Sequence, residues 1–336
     1  MVTSIPLLVG MTLISTVIIW AGAILLESSS ERLGAYYGLP AAVQGAVIVA
    51  IGSSFPELWS VVAATIQHGA FDLGVGAIVG SAIFNILVIP ALASLAGEDT
   101  VEVNREIVYK EAQFYMLAVA VIIITFALAV IYNPGNGGLT GEINRPLAAI
   151  PLLLYGLYVF IQYLDAADYI ADEVSGVRVG RQWLALLAGL ALIVVGVEIL
   201  VEAAVGFGEV FDTPSFLWGL TVVAAATSIP DAFVSVRTAK AGSDVTSVAN
   251  VLGSNTFDLL VAVPVGVLIA GVASVNFAAA VPMFGFLTLS TVMLFTFLRT
   301  GYELTELESY LLLTTYAFFV AWVVAETFGW VSFVPG

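Results

Sequence analysis

Gly52-Ser53-Ser54-Phe55-Pro56-Glu57-Leu58 and Ala226-Thr227-Ser228-Ile229-Pro230-Asp231-Ala232 write one pattern twice, 174 positions apart (57 to 231). Each copy sets two hydroxyls ahead of a proline and an acid straight after it, inside a stretch apolar enough to cross a membrane. A second pair follows at almost the same offset: Gly80-Ser81-Ala82-Ile83-Phe84-Asn85 and Gly253-Ser254-Asn255-Thr256-Phe257-Asp258. Ionisable groups held in lipid are costly and are functional candidates by default. Here they recur in a duplicated setting.

Working outward, 60% of the 336 residues are hydrophobic and only 10% are charged, with a mean hydropathy of +1.07. A soluble domain carries roughly a quarter of its residues charged, so this is an integral membrane protein. Its apolar runs are about 20 residues long, whereas β-barrel strands would be about 10 and alternating. The expected fold class is therefore an all-α membrane protein, a helical bundle. The N-terminus has no basic region and its apolar stretch is as long as a span, so no cleavable signal peptide is expected. The absence of cysteine removes disulfides and thiolate metal sites. His68, the lone histidine, sits beside Gly69 and reads as a solvated turn residue.

The net charge is −16. Most acids fall in connections: Glu98, Asp99 and Glu102; Asp165, Asp168, Asp172 and Glu173; Glu303, Glu306 and Glu308. Such runs are solvated faces, and a pI near 4.1 suits a salt-loving microbe. No nucleic acid is expected as a partner.

Apolar runs read against breakers give ten spans, near 5–26, 38–67, 72–96, 107–131, 146–164, 183–204, 214–238, 245–271, 276–298 and 306–331. The second and seventh carry internal prolines and are expected to be bent or broken. With the N-terminus outside, the cytoplasmic connections hold Arg32, Arg105, Lys110, Arg178, Arg181, Arg237, Lys240 and Arg299, and the outside holds only Arg145. That bias places both termini outside. The division is a first five-helix repeat at 1–164 with its motif at 50–92, a short acidic cytoplasmic linker at 165–182, and a second repeat at 183–336 with its motif at 222–264. Five spans per half is an odd number, so the halves have inverted topology. The offset of 174 also pairs Gly22 with Gly196, Gly34 with Gly208 and Pro40 with Pro214. Inverted repeats are the signature of secondary transporters that bind substrate at the midplane.

Helix geometry gives the motifs their chemistry. Ser53 and Glu57, Thr227 and Asp231, Ser81 and Asn85, and Ser254 and Asp258 are each four apart, so each hydroxyl shares a helix face with a carboxylate or amide. Ser54 and Ser228 add second hydroxyls. Pro56 cannot bond the carbonyl of Gly52, nor Pro230 that of Ala226, and freed carbonyls at membrane depth line cavities or meet cations. Gly80 and Gly253 permit close helix approach. Such a cage of oxygens suits hard cations: calcium takes six to eight in flexible geometry, while magnesium demands a tighter octahedron. Zinc or copper would recruit His or Cys. Three carboxylates offset one divalent ion or several monovalent ions, not both loads together. A single buried acid could be merely protonated and hydrogen-bonded; four matched motifs in inverted halves argue against that for the set. Glu198 and Glu202 share a face of the sixth span without acidic counterparts in the first, and read as structural or near the outer surface. Glu326 is unassigned.

These motifs resemble the cation/calcium exchanger superfamily, most specifically over 50–92 and 222–264, and within it the sodium/calcium exchangers. The resemblance implies ten helices with ions held by the second, third, seventh and eighth. Carried over by motif, Glu57 and Asp231 would be the principal calcium-bridging carboxylates, with oxygens from Ser53 and Thr227. Ser54, Ser81, Asn85, Ser228, Ser254 and Asp258 would complete the sodium and calcium sites, with upstream carbonyls from Ala50 and Ala224. Many simple sodium/calcium exchangers have glutamate in both halves; Asp231 departs from this and looks closer to the potassium-dependent branch, where the extra room could admit potassium. The large regulatory loop of animal exchangers is absent between the halves.

The expectation is a non-enzymatic antiporter in the cell membrane, exporting Ca2+ against inward Na+, with no cofactor beyond the transported ions and no obligatory protein partner. The nearest alternatives are potassium-dependent exchange and proton/calcium exchange. The latter's relatives usually carry a lysine or other distinctive residue near the motif start, and Ser53, Ser54, Thr227 and Ser228 favour sodium instead. A passive channel would need a continuous pore. An intramembrane aspartyl protease would need the Gly-x-Gly-Asp motif, which is missing.

Overall fold

The computed structural model describes residues 4–38, 50–96, 101–105, 107–135, 139–165, 177–240 and 244–333. The first half of the expected second span, with Pro40, and positions 166–176 of the expected linker lie outside the described residues. Nine helical segments among the described residues are long and apolar enough to cross a membrane. Their order matches nine of the ten expected spans. Ala50–Ser53 and Phe55–His68 supply the described half of the remaining one, the second.

Two spans depart from their expected bounds. The first runs Ile5–Tyr36 and the sixth Val179–Phe211, 32 and 33 residues, so the sixth begins inside the stretch expected as linker. At 1.5 Å per residue each is about 48 Å long, well beyond the roughly 30 Å hydrocarbon layer. Glu27 through Arg32 end the apolar run, yet nothing there breaks a helix, so hydropathy stopped the expected span early. The extension has a packing role: Ser29 and Ser30 are buried, and Ser30 and Leu26 lie against Gly52, at the start of the first motif.

The first and sixth spans run antiparallel and touch at glycine. A Cβ on Gly22 would sit 2.8 Å from Ile193 Cγ1, and one on Gly196 would sit 2.8 Å from Ile19 Cγ1. Both partners are related by 174 positions (22 to 196, 19 to 193), so the contact is reciprocal. This pair shares a small apolar cluster (Ile19, Leu26, Ile193, Val197, Leu200) with Ala63, Ala64, Leu73, Ala77 and Val223 of the motif spans. The larger core lies elsewhere, among the third, fourth, eighth, ninth and tenth spans. The third and eighth spans form the centre, being 89% and 78% buried, against 22% for the fifth and tenth. Gly76, Gly80 and Gly219 bring the third span onto the start of the seventh backbone to backbone; a Cβ on Gly80 would lie 2.7 Å from Ala224 Cβ.

Among the described residues, four short strands join connections in antiparallel pairs. β1 (Val101–Glu102), between the third and fourth spans, pairs with β4 (Glu303–Leu304), between the ninth and tenth. β2 (Thr140–Asn144), between the fourth and fifth, pairs with β3 (Val272–Asn276), between the eighth and ninth. An inverted repeat exchanges these two pairs, since adding five spans turns the third-to-fourth connection into the eighth-to-ninth. Counting crossings sets the pairs at opposite ends of the bundle.

Candidate ion-binding site

Each motif sits where a helix is locally disturbed. In the second span Ser54 (φ −87°, ψ 6°) separates helix Ala50–Ser53 from helix Phe55–His68. Pro56 occupies the first turn of the new helix, where its missing N–H costs nothing. The expected break is therefore present. The seventh span solves the same problem differently. Its motif lies within helix Ala224–Lys240, with Pro230 inside, and a wide π turn at Gly219–Val223 precedes it. The third span pauses between Leu87 and Ile89, ahead of Pro90. In the eighth, Asp258 opens a π turn, Asp258–Ala262, ahead of Pro264. Proline lacks the donor an α-helix needs four residues back, and single π turns are frequent at functional sites.

Ser53, Ser54, Glu57, Ser81, Asn85, Thr227, Ser228, Asp231, Ser254 and Asp258 are all at most 6% exposed. Ser81 Oγ donates to Glu57 Oε1 at 3.4 Å and lies 2.8 Å from Ser228 Oγ, tying the third span to the second and the seventh. Across the site Ser53 Oγ and Ser254 Oγ are 2.9 Å apart, and Ser54 Oγ donates to the Ser254 carbonyl at 3.3 Å. Thr227 Oγ1 donates to the carbonyls of Val223 and Ala224 at 3.1 and 3.3 Å, so the Ala224 carbonyl stands at this edge. Ala50 opens its short helix; its side chain is outside the described residues.

The arrangement is rich in acceptors and poor in donors. Glu57 Oε2, Asn85 Oδ1 and both Asp258 oxygens are enclosed without a well-formed hydrogen bond, although the Thr227 hydroxyl lies beside Glu57 and the Ser54 hydroxyl beside Asp258, and the four motifs contain no Lys or Arg. Buried polar atoms are normally paired, so unmatched oxygens of this kind suit cations. Glu57 and Asp231 both act electrostatically on Asp258, and Glu57 also acts on Asp231. The carboxylates nonetheless stop short of a single cluster: among the described residues no three His, Asp or Glu side chains converge as a ready-made metal site. Neutral oxygens must supply much of any coordination shell.

Several residues here escaped the sequence reading. Asn255 is fully buried, accepting from Asn85 Nδ2 at 2.9 Å and donating to the Ala82 carbonyl at 3.3 Å. Its repeat counterpart is Ala82, so duplication gave it no signal. Glu27, on the extension of the first span, acts on Asp231 and lies near Arg237. His68 is exposed at its helix end before Gly69 (φ 60°), as expected. Glu202 is exposed and Glu198 half-buried.

A family model described as sodium/calcium exchanger protein matches residues 7–164 and 181–325. The chain belongs to this family. The sodium/calcium exchanger MaX1 of Methanosarcina acetivorans is 26% identical over 349 aligned positions, covering 92% of this chain and 96% of that one. The inner membrane protein YrbG of Escherichia coli is 29% identical over 280, covering 76% and 80%. Human sodium/potassium/calcium exchanger 4 is 42% identical over 100 residues, 30% of this chain and 15% of that one. Among solved structures, the sodium-calcium exchanger NCX_Mj soaked with 2.5 mM Na+ and 1 mM Sr2+ shares the fold, with a TM-score of 0.65 over 95% of this chain and 99% of that one at 23% identity. These exchanger relatives are transporters, and the chain is a multi-pass membrane protein of their kind, built for exchange of calcium with another cation.

Proposed function

We propose that this exchanger extrudes Ca2+ from the cell against inward Na+, binding both at overlapping sites built from the four motifs. Glu57 and Asp231 bridge calcium, with oxygens from Ser53, Thr227 and the carbonyls of Ala50 and Ala224. Ser54, Ser81, Asn85, Ser228, Ser254 and Asp258 complete the sodium and calcium sites. What carries the reading is the set of enclosed oxygens on Glu57, Asn85 and Asp258 that lack a well-formed hydrogen bond, gathered where four disturbed helix segments meet.

Exchange follows from charge. An empty site leaves acids uncompensated in low dielectric, which disfavours the return stroke; a load of either kind relieves it. The moving part is the antiparallel pair formed by the first and sixth spans. It shares only a small apolar cluster with the motif spans, whereas the remainder has its own core and a strand pair at each end. The halves divide within the stretch expected as linker, 165–182, ahead of the sixth span at Val179, with both termini outside.

Potassium cotransport is a second reading, favoured by Asp231 in place of glutamate and by the 42% identity to a sodium/potassium/calcium exchanger over 100 residues. Sodium-loaded liposomes diluted into sodium-free buffer test both. Calcium uptake that needs internal sodium and ignores potassium supports simple exchange; a requirement for external potassium supports the second reading. Uptake indifferent to sodium refutes both and makes a proton gradient the next driving force to impose.

A further inference from the structure

We infer that Tyr115 and Tyr155, from the fourth and fifth spans, serve as oxygen ligands to a monovalent alkali cation held at Asp258. The inference rests on the exchange reading above; what it adds is a part for two spans outside the four motif segments.

Both hydroxyls are in unusual positions. Tyr115 is fully buried, in helix Ala112–Tyr132, and its hydroxyl has no well-formed hydrogen bond, although Thr291 and Asn255 lie beside it. Tyr155, in helix Arg145–Asp165, has a half-buried ring, but its hydroxyl oxygen is enclosed and likewise unmatched. A buried tyrosine hydroxyl ordinarily finds a partner. Asp258 acts electrostatically on both, and the π turn that begins at Asp258 packs against both helices. Tyr155 also holds Phe257, the residue before Asp258, edge to face at 5.7 Å.

The Tyr155 ring has a fixed backing. Tyr158, one turn on, tilts against it at 5.9 Å and donates to Glu111 Oε2 at 2.8 Å, while Gln162 donates to Glu111 Oε1 at 2.7 Å and accepts from Lys110 at 2.6 Å. That satisfied network leaves Tyr155 alone with an idle oxygen. Asn85, which donates to the Asn255 that lies beside Tyr115, has an idle Oδ1 as well. Asp258 therefore stands as one carboxylate beside several neutral oxygens, a balance suited to a single positive charge. Phenol oxygens on rigid rings keep their spacing, and hard monovalent ions accept such neutral oxygens.

Tyr115→Phe and Tyr155→Phe remove one oxygen each and keep the ring packing. In reconstituted protein, each should raise the half-saturating concentration of the driving or cotransported monovalent ion by roughly three- to tenfold, the range for one lost polar interaction. The half-saturating calcium concentration should stay unchanged. Equal shifts for calcium and the monovalent ion, or no shift at all, would overturn the inference, the first by showing a structural role. A second measurement is the melting temperature in detergent, titrated with NaCl or KCl at constant ionic strength in choline. Monovalent stabilisation that weakens in both Phe variants supports the ligands; stabilisation equal to wild type refutes them. Should wild-type liposomes take up no calcium under any sodium or potassium gradient, the exchange reading fails, and the detergent titration still decides the tyrosines separately.

Discussion

Glu57→Gln is the substitution with the most to say. The two side chains are isosteric, Ser81 retains an acceptor at position 57, and the full burial of the site keeps the change from being absorbed by water. What disappears is one negative charge. A divalent ion about 3 Å from a carboxylate gains roughly 11 kcal/mol at an effective dielectric of about 20, and desolvation of the carboxylate offsets much of it. Removing one partner of a buried charge pair accordingly costs about 2–5 kcal/mol, which weakens calcium binding roughly thirtyfold to several-thousandfold. The same substitution relieves repulsion among Glu57, Asp231 and Asp258, so the ion-free protein should melt no lower than wild type. Two assays read this together: calcium uptake into sodium-loaded liposomes, and the calcium-induced rise in melting temperature in detergent. Uptake and the calcium-induced rise should both vanish while ion-free stability holds. Undiminished uptake would refute the assignment of Glu57, and a collapse of ion-free stability would show that the carboxylate is needed for folding instead.

Other consequences can be checked alongside. Gly22→Val and Gly196→Val insert methyls where a Cβ alone would come within 2.8 Å of an isoleucine; overpacking by about 1–3 kcal/mol should slow uptake similarly in both, with calcium-induced stabilisation in detergent preserved. Asn255→Ala strands Asn85 and should lower the melting temperature, consistent with about 1–3 kcal/mol for an unsatisfied buried amide. The chain has no cysteine, so single substitutions report sidedness: an impermeant maleimide should label Leu139→Cys in intact cells and Gly180→Cys only after lysis, and the reverse pattern would invert the proposed orientation.

The span order and the four motifs were legible because both are written in hydropathy and in a repeat offset, which survive without knowledge of packing. Helix length was not. Glu27 and its polar neighbours end an apolar run without ending a helix, so the extension of the first span onto Gly52 was invisible. The disturbance at each motif was legible as proline but not in form: Pro56 starts a new helix, whereas Pro264 follows a π turn. Asn255 was missed because its counterpart at the motif's own offset of 173 is Ala82. Tyr115 and Tyr155 were missed because an aromatic in a span reads as core until its hydroxyl is found without a well-formed hydrogen bond.

The reciprocal contact between the first and sixth spans has an evolutionary reading. Gly22 against Ile193 and Gly196 against Ile19 are the contacts that two copies of one five-helix chain would make if they met head to tail in the bilayer. β1–β4 and β3–β2 are likewise what such copies would exchange at their two faces. The fold is thus organised as a homodimer whose subunits have been joined by a short tether. In such an ancestor every residue would have worked in both orientations. Fusion would release each half to specialise, and the difference is visible where Asn85 is matched by Asp258 and Glu57 by Asp231 at the repeat offset.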